Sequence, residues 1–288
     1  MRDDPWGRED VSTGKGEGDE NFPVGSVLFT RRLRADVSAY YDFARASDDI
    51  SDSERLTPDA KVARLDAMEA VLRGALEAPA GRADARSAVR LRESFLRSGM
   101  PFEVATDLLI AFRQDARKVR YDSWDDLLGY CRNSANPVGR FLLILHGEDA
   151  RSFGPSDALC TSLQILNHIQ DCRGDLERLD RCYVPLDMLK AHGASVDDLR
   201  GSAETAGLRR VFSDMLDRVD DLNREASALV PLVRDRRMRM YCGAVVRLAH
   251  LLAARLRRGD PVAGRVSLSR ADFVRGFVSA LRAAVRGV

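Results

Sequence analysis

Two pairs of aspartates carry the chemistry that this sequence can do. Asp48 and Asp52 stand four apart at the end of a helical stretch whose apolar side carries Tyr40, Phe43 and Ala44. Four residues is just over one helical turn, so the two carboxylates stack on one face. Like charges at that spacing cost an isolated helix about 0.2–0.5 kcal/mol, and a divalent cation would offset the repulsion. The arrangement recurs 123 positions later, where Asp171 and Asp175 are again i,i+4. Gln164, Asn167 and His168 share the stripe of Asp171 and Asp175, while Leu163, Ile165, Leu166 and Ile169 lie to its sides and back.

Brought together, the four carboxylates make an oxygen-rich site of charge about −4. Mg²⁺ prefers oxygen ligands, keeps several waters and commonly bridges a few carboxylates to substrate phosphates. A diphosphate would complete such a site. Metal and nearby arginines would stabilise the charge that develops as the diphosphate departs, leaving a carbocation for an apolar cavity to shield from random water.

Other metal chemistry fits less well. A di-iron or di-manganese bundle needs Glu-x-x-His, and no glutamate here has a histidine three residues later. The four histidines (146, 168, 192 and 250) are isolated, which disfavours a zinc hydrolase. His168 reads as a hydrogen-bonded cavity histidine rather than a ligand. Arg45 stands three before Asp48 and suits either an intrahelical ion pair or a diphosphate clamp. Tyr41 and Tyr130 suit core aromatics or the border of a cation pocket.

The elements that position these residues read as helices throughout. The pattern predicts a long helix from Val24 to about Ile50. Thr57 with Pro58 opens a helix over 58–77, and others follow over 82–98, 101–119, 124–134 and 138–147. Pro155 opens the helix of the second aspartate pair, with irregular chain over 176–184. Short helices are expected at 185–191 and 196–200, and long ones over 203–229, 231–257 and 270–286. No strand run, hairpin dipeptide or repeat stands out. The expectation is an all-α fold, a single helical domain over 21–288 around a central cavity, preceded by a disordered polar leader at 1–20.

Composition narrows the classes of function. The 288 residues are 45% hydrophobic, enough for a sizeable core, and the net charge of +1 gives no field toward nucleic acid. The leader holds ten charged residues and four glycines and lacks an apolar signal region. Its Gly14-Lys15-Gly16-Glu17-Gly18 follows no strand, so it reads as linker rather than phosphate loop. Five scattered cysteines without zinc spacing suit reduced thiols in a cytoplasmic protein. No apolar run reaches the roughly 18 residues of a bilayer span.

The residues around both aspartate pairs resemble a known family. Phe43-Ala44-Arg45-Ala46-Ser47-Asp48-Asp49-Ile50-Ser51-Asp52 is similar to the first aspartate motif of the squalene/phytoene synthase family. Gln164-x-x-Asn167-x-x-Gln170-Asp171-x-x-x-Asp175 is similar to its second. Phe112-Arg113-Gln114-Asp115 and the run from Tyr130 to Arg140 also fit. Asn21-Phe22-Pro23-Val24, Leu166–Cys172 and Arg178–Asp187 resemble the bacterial branch that makes hydroxysqualene in hopanoid pathways.

The resemblance implies the isoprenoid synthase fold. It implies that Asp48, Asp52, Asn167, Asp171 and Asp175 hold Mg²⁺, and that Tyr41, Arg45, Gln164 and Arg178 line the substrate pocket. The implied substrate is presqualene diphosphate, ionised to a cyclopropylcarbinyl cation that rearranges and is captured by water, with no reductant. Coupling to other hopanoid-pathway enzymes would follow. Two alternatives stay open: a sibling that condenses two prenyl diphosphates head to head, and a helical assembly factor of the same fold. Gly174 departs from the family, standing where many relatives carry an acid; Arg173 beside it could serve the diphosphate or pair with Asp175.

The C-terminal helix is both apolar and basic, with Phe273, Val274, Phe277, Val278 and Leu281 among Arg270, Arg275, Arg282 and Arg286. It suits peripheral contact with the inner membrane surface, or a terminal helix packed into the core.

Overall fold

The computed structural model describes residues 4–7, 11 and 30–285. These are helices joined by loops, and the one strand-like feature among them is an isolated bridge between Arg120 and Cys182. The all-α expectation is met. The chain divides into two compact units, residues 1–117 and 118–288.

In the first unit, α1 (Arg31–Asp52) packs against α2 (Pro58–Arg73), α3 (Ala83–Ser98) and α4 (Glu103–Asp115). Phe43, Met68, Leu72, Phe95 and Leu108 are buried at its centre. Thr57 caps α2 by accepting from Ala60 N at 3.3 Å, with Pro58 where no intrahelical N–H is needed. The helix stops at Arg73, short of the expected 77. Gly74 takes a left-handed turn (φ 77°) and donates back to Val71 O, a conformation that glycine adopts without strain.

A buried ion pair joins α2 to α3, with Arg64 Nη2 2.5 Å from Asp84 Oδ2. Arg82 also reaches Asp84, and it donates to Trp6 O and Gly7 O. Trp6 is buried, so this part of the expected leader joins a core because it carries a large apolar ring. Residues 8–10 and 12–29, including Gly14–Gly18, Asn21–Val24 and the expected start of the first helix, lie outside the described residues.

The second unit holds α5 (Trp124–Ser134), α6 (Asn136–Leu145), α7 (Phe153–Leu179), α8 (Leu186–Ala191), α9 (Ala206–Ala226), α10 (Leu229–Leu232), α11 (Arg236–Leu256) and α12 (Arg270–Val285). The long α7 packs against α5, α6, α9 and α11. It starts two residues before Pro155, whose missing N–H costs nothing in the first turn. It also runs through 176–179, expected to be irregular, because Leu176 adds a buried contact there.

Asp180 then ends α7 in the left-handed conformation (φ 50°), the one non-glycine residue with positive φ among those described. Its N–H and that of Arg181 both donate to Asp175 O, and Arg120 holds Asp180 through its carbonyl and Oδ1. The expected helix over 231–257 is broken at Val233. Its main part begins where Asp235 caps α11 by accepting from Met238 N at 2.8 Å. The five cysteines form no disulfide, and no described helix is long and apolar enough to cross a membrane.

Candidate active site

The first aspartate pair sits in the last two turns of α1, whose end is fixed from several sides. Tyr40 Oη donates to Val104 O at 2.7 Å, and Lys61 Nζ donates to Ser51 O at 2.9 Å. Ser47 and Ser51 turn their hydroxyls to backbone carbonyls one turn back. Arg45 reaches down the same face, with Nη1 2.9 Å from Asp48 Oδ2 and Nη2 2.8 Å from Asp49 Oδ1. The intrahelical pair expected for Arg45 therefore exists, and Asp49, which is buried, is its second partner. Tyr41 and Asp52 are half-buried.

Charge accumulates at Asp48. Burial first, then the Asp52 carboxylate, push its pKa up from 3.8 to about 7; Arg45 opposes the shift, and Asp115 and Asp49 add to it. The side chain keeps 34% of its surface, so a cation or water can still reach it. Asp115 is the buried last residue of α4. The sequence placed it in a family-like stretch without giving it a role, because nothing local shows that α4 delivers it toward α1.

The second pair lies on α7. Gln164, Asn167, Asp171 and Asp175 are half-buried along one stripe, Ile165, Leu166 and Ile169 are fully buried, and Arg178 is exposed one turn further on. Asp171 has a two-pronged partner: Arg265 places Nε 3.1 Å from Oδ1 and Nη2 3.3 Å from Oδ2. Gln170 donates to Val266 O at 2.6 Å, tying that loop to the helix. Arg265 was invisible in the sequence, being 94 residues from Asp171 on a loop without helical spacing. Arg173 pairs with Glu177 at 2.7 Å, one turn ahead, rather than with Asp175.

His168 differs from its expectation. It is buried on Tyr183, with ring centroids 3.6 Å apart, and neither ring nitrogen has a hydrogen-bond partner among the described residues. Burial, followed by the nearby Arg181, lowers its pKa to about 3, so the ring is neutral. Tyr130 is a core aromatic, edge-on to Tyr121 at 5.4 Å.

No three His, Cys, Asp or Glu side chains converge as a ready metal cage among the described residues. Oxygen pairs one turn apart suit an ion that retains waters and takes its remaining ligands from a phosphate. A carboxylate that burial, and then the Asp52 charge, raise to about 7 is relieved by a cation. The donor set therefore fits Mg²⁺.

Residues 16–272 match the sequence profile of the family described as Squalene/phytoene synthase. The chain is 40% identical over 263 residues to a hydroxysqualene synthase of Sinorhizobium fredii, covering 91% of this chain and 88% of the relative. It is also 40% identical over 265 residues to one from Rhodopseudomonas palustris, covering 92% and 89%. Among solved structures, squalene synthase HpnC from Alicyclobacillus acidocaldarius superposes with a TM-score of 0.72 at 36% identity, over 86% of this chain and 90% of that one.

Proposed function

The chain belongs to the squalene/phytoene synthase family, and we propose that it catalyses the hydroxysqualene synthase reaction. At the coarser level it is an enzyme acting on prenyl diphosphates. In the proposed reaction the C–O bond of presqualene diphosphate breaks and the electron pair leaves with the diphosphate. The cation rearranges, a water oxygen bonds to carbon, and a water proton is released. Electrons balance without a nicotinamide.

The observation that carries this reading is the charge cluster at the end of α1. Asp48, Asp52 and Asp115 concentrate negative charge there, and Arg45 places two guanidinium nitrogens on its edge. Asp48 and Asp52, like Asn167, Asp171 and Asp175, would hold Mg²⁺, which would supply the positive charge that a departing diphosphate requires. Arg45 is built to exchange a carboxylate for a phosphate oxygen, since its planar fork fits both. Arg265 offers a second fork beside Asp171. Tyr41, Gln164 and Arg178 complete the proposed substrate-binding set. The hydroxysqualene synthases at 40% identity support the water-capturing branch over a condensing one.

The test is incubation of purified protein with Mg²⁺ and presqualene diphosphate, without nicotinamide, and mass spectrometry of the products. A C30 alcohol that disappears on chelation is the expected result. Inertness toward presqualene diphosphate together with turnover of farnesyl diphosphate would overturn it and move the chain to the condensing branch.

A further inference from the structure

Among the described residues, eleven large hydrophobic side chains are exposed, and six of them lie on α12: Phe273, Val274, Phe277, Val278, Leu281 and Val285. At 100° per residue these six fall within an arc of about 140° on one face of the helix. The other five are spread over separate elements, as ordinary surface residues are.

The helix is attached by its opposite side. Gly276, Ala280 and Ala283 are buried toward α11. A Cβ on Gly243 would lie 2.8 Å from that of Ala283, and one on Gly276 would lie 3.1 Å from the Leu248 side chain. Arg255 Nε sits 2.5 Å from Asp272 Oδ2 near the start of α12, and Arg239 Nε donates to Ala283 O at 3.0 Å near its end. Small residues thus form the packed side, and the bulky apolar ones are held outward by a pinned helix. The terminal helix does pack, as one reading of the sequence expected, but through the face that carries little hydrophobic surface.

The exposed charges of this helix are all positive. Its one acid, Asp272, is buried and shared by Arg255 and Arg275. Arg270, Arg275 and Arg282 are exposed, and Arg255, Arg258 and Arg275 line an open groove beside the start of the helix.

We propose that α12 docks on a bilayer that contains anionic lipid. Its apolar arc enters the boundary between headgroups and acyl chains, and its arginines and the groove take lipid phosphates. Charge complementarity selects this occupant over a second copy of the chain, since two α12 faces would bring arginines against arginines. The docking needs no substrate, so its test is separate from that of the reaction.

The experiment is sedimentation of the full chain with sucrose-loaded vesicles, one set of phosphatidylcholine and one in which a third of the lipid is phosphatidylglycerol. Binding is expected to the mixed vesicles, weakened by salt, and to be much poorer to phosphatidylcholine alone. The double variant Phe277→Glu/Leu281→Glu should lose binding by about tenfold or more, with unchanged helical circular dichroism because both side chains point away from α11. Arg270→Gln/Arg282→Gln should lose only the preference for anionic lipid. Failure of the wild-type chain to sediment, or equal sedimentation of the Phe277/Leu281 variant, would overturn the proposal. So would a dimer in sedimentation velocity that this variant abolishes without any vesicle binding by the wild type.

Discussion

His168 and Tyr183 lie face to face, ring centroids 3.6 Å apart and planes 15° from parallel, with both imidazole nitrogens buried and unpartnered among the described residues. Such a ring is held neutral. Its pKa of about 3 in the fold compares with 6.5 unperturbed, so the unfolded chain takes the proton first. The neutral histidine contributes its full stability above about pH 6.5, and that contribution is lost as pH falls from there toward 3, at up to about 1.4 kcal/mol per pH unit. His168→Phe keeps the stacking and removes the titration. Urea melts from pH 7 to about 4.5 should show a flatter dependence for the variant; an identical slope would refute the assignment.

Asp48→Asn should separate stability from activity. The Asp48 carboxyl is raised to about 7, so its protonated form stabilises the fold at pH below 3.8, and that contribution is lost as pH rises through 7. At pH 8 the wild-type protein without metal bears a charge that the amide lacks. The variant should therefore melt at or above the wild-type temperature, while turnover falls by about 100-fold or more. Mg²⁺ with inorganic diphosphate should raise the melting temperature of the wild type but not of the variant. A variant that is both less stable and fully active would contradict both roles.

Gly174→Ala should stabilise the protein. The position lies inside α7, and a Cβ there meets no atom within 4 Å. Removing a helical glycine is worth about 0.5–1 kcal/mol. Chemical denaturation measures this directly, and a loss of stability would show that the site needs the missing side chain.

Asp84→Asn should do the reverse. Burial works against this carboxylate, but Arg82 and Arg64 outweigh it and hold its pKa below the ordinary 3.8. Its contribution is present above that value and is lost as pH falls through the depressed one. Removing the carboxylate charge from a buried ion pair costs about 3–5 kcal/mol. A shift in unfolding free energy below about 1 kcal/mol would mean that the pair behaves as a surface one.

The helices that carry the candidate residues were legible where local chemistry marks them. Thr57-Pro58 and Ser123 announce two starts, and both side chains cap as expected. The aspartate spacing read correctly as one face because it depends only on the period of the helix. What sequence could not supply was whatever depends on distant chain. Arg265 reaches Asp171 from a loop, Asp115 acts on Asp48 from another helix, and His168 was expected to find a hydrogen bond but meets an aromatic face. Gly74 ended α2 early because four more residues of apolar pattern carry no information about φ.

Helices unravel from their ends, and a ligand in the last turns usually rides on a segment that flickers open. Asp175 is four residues from the end of α7, yet two amides beyond that end return to its own carbonyl, and Arg120 grips Asp180 on the far side. Fraying is halted at the residue whose carboxylate is proposed to hold the metal. The disorder that would otherwise be removed afresh at every turnover is removed once, when the chain folds. A lesion at Arg120, which belongs to neither aspartate motif, would therefore appear as imprecision in the site rather than as loss of the fold.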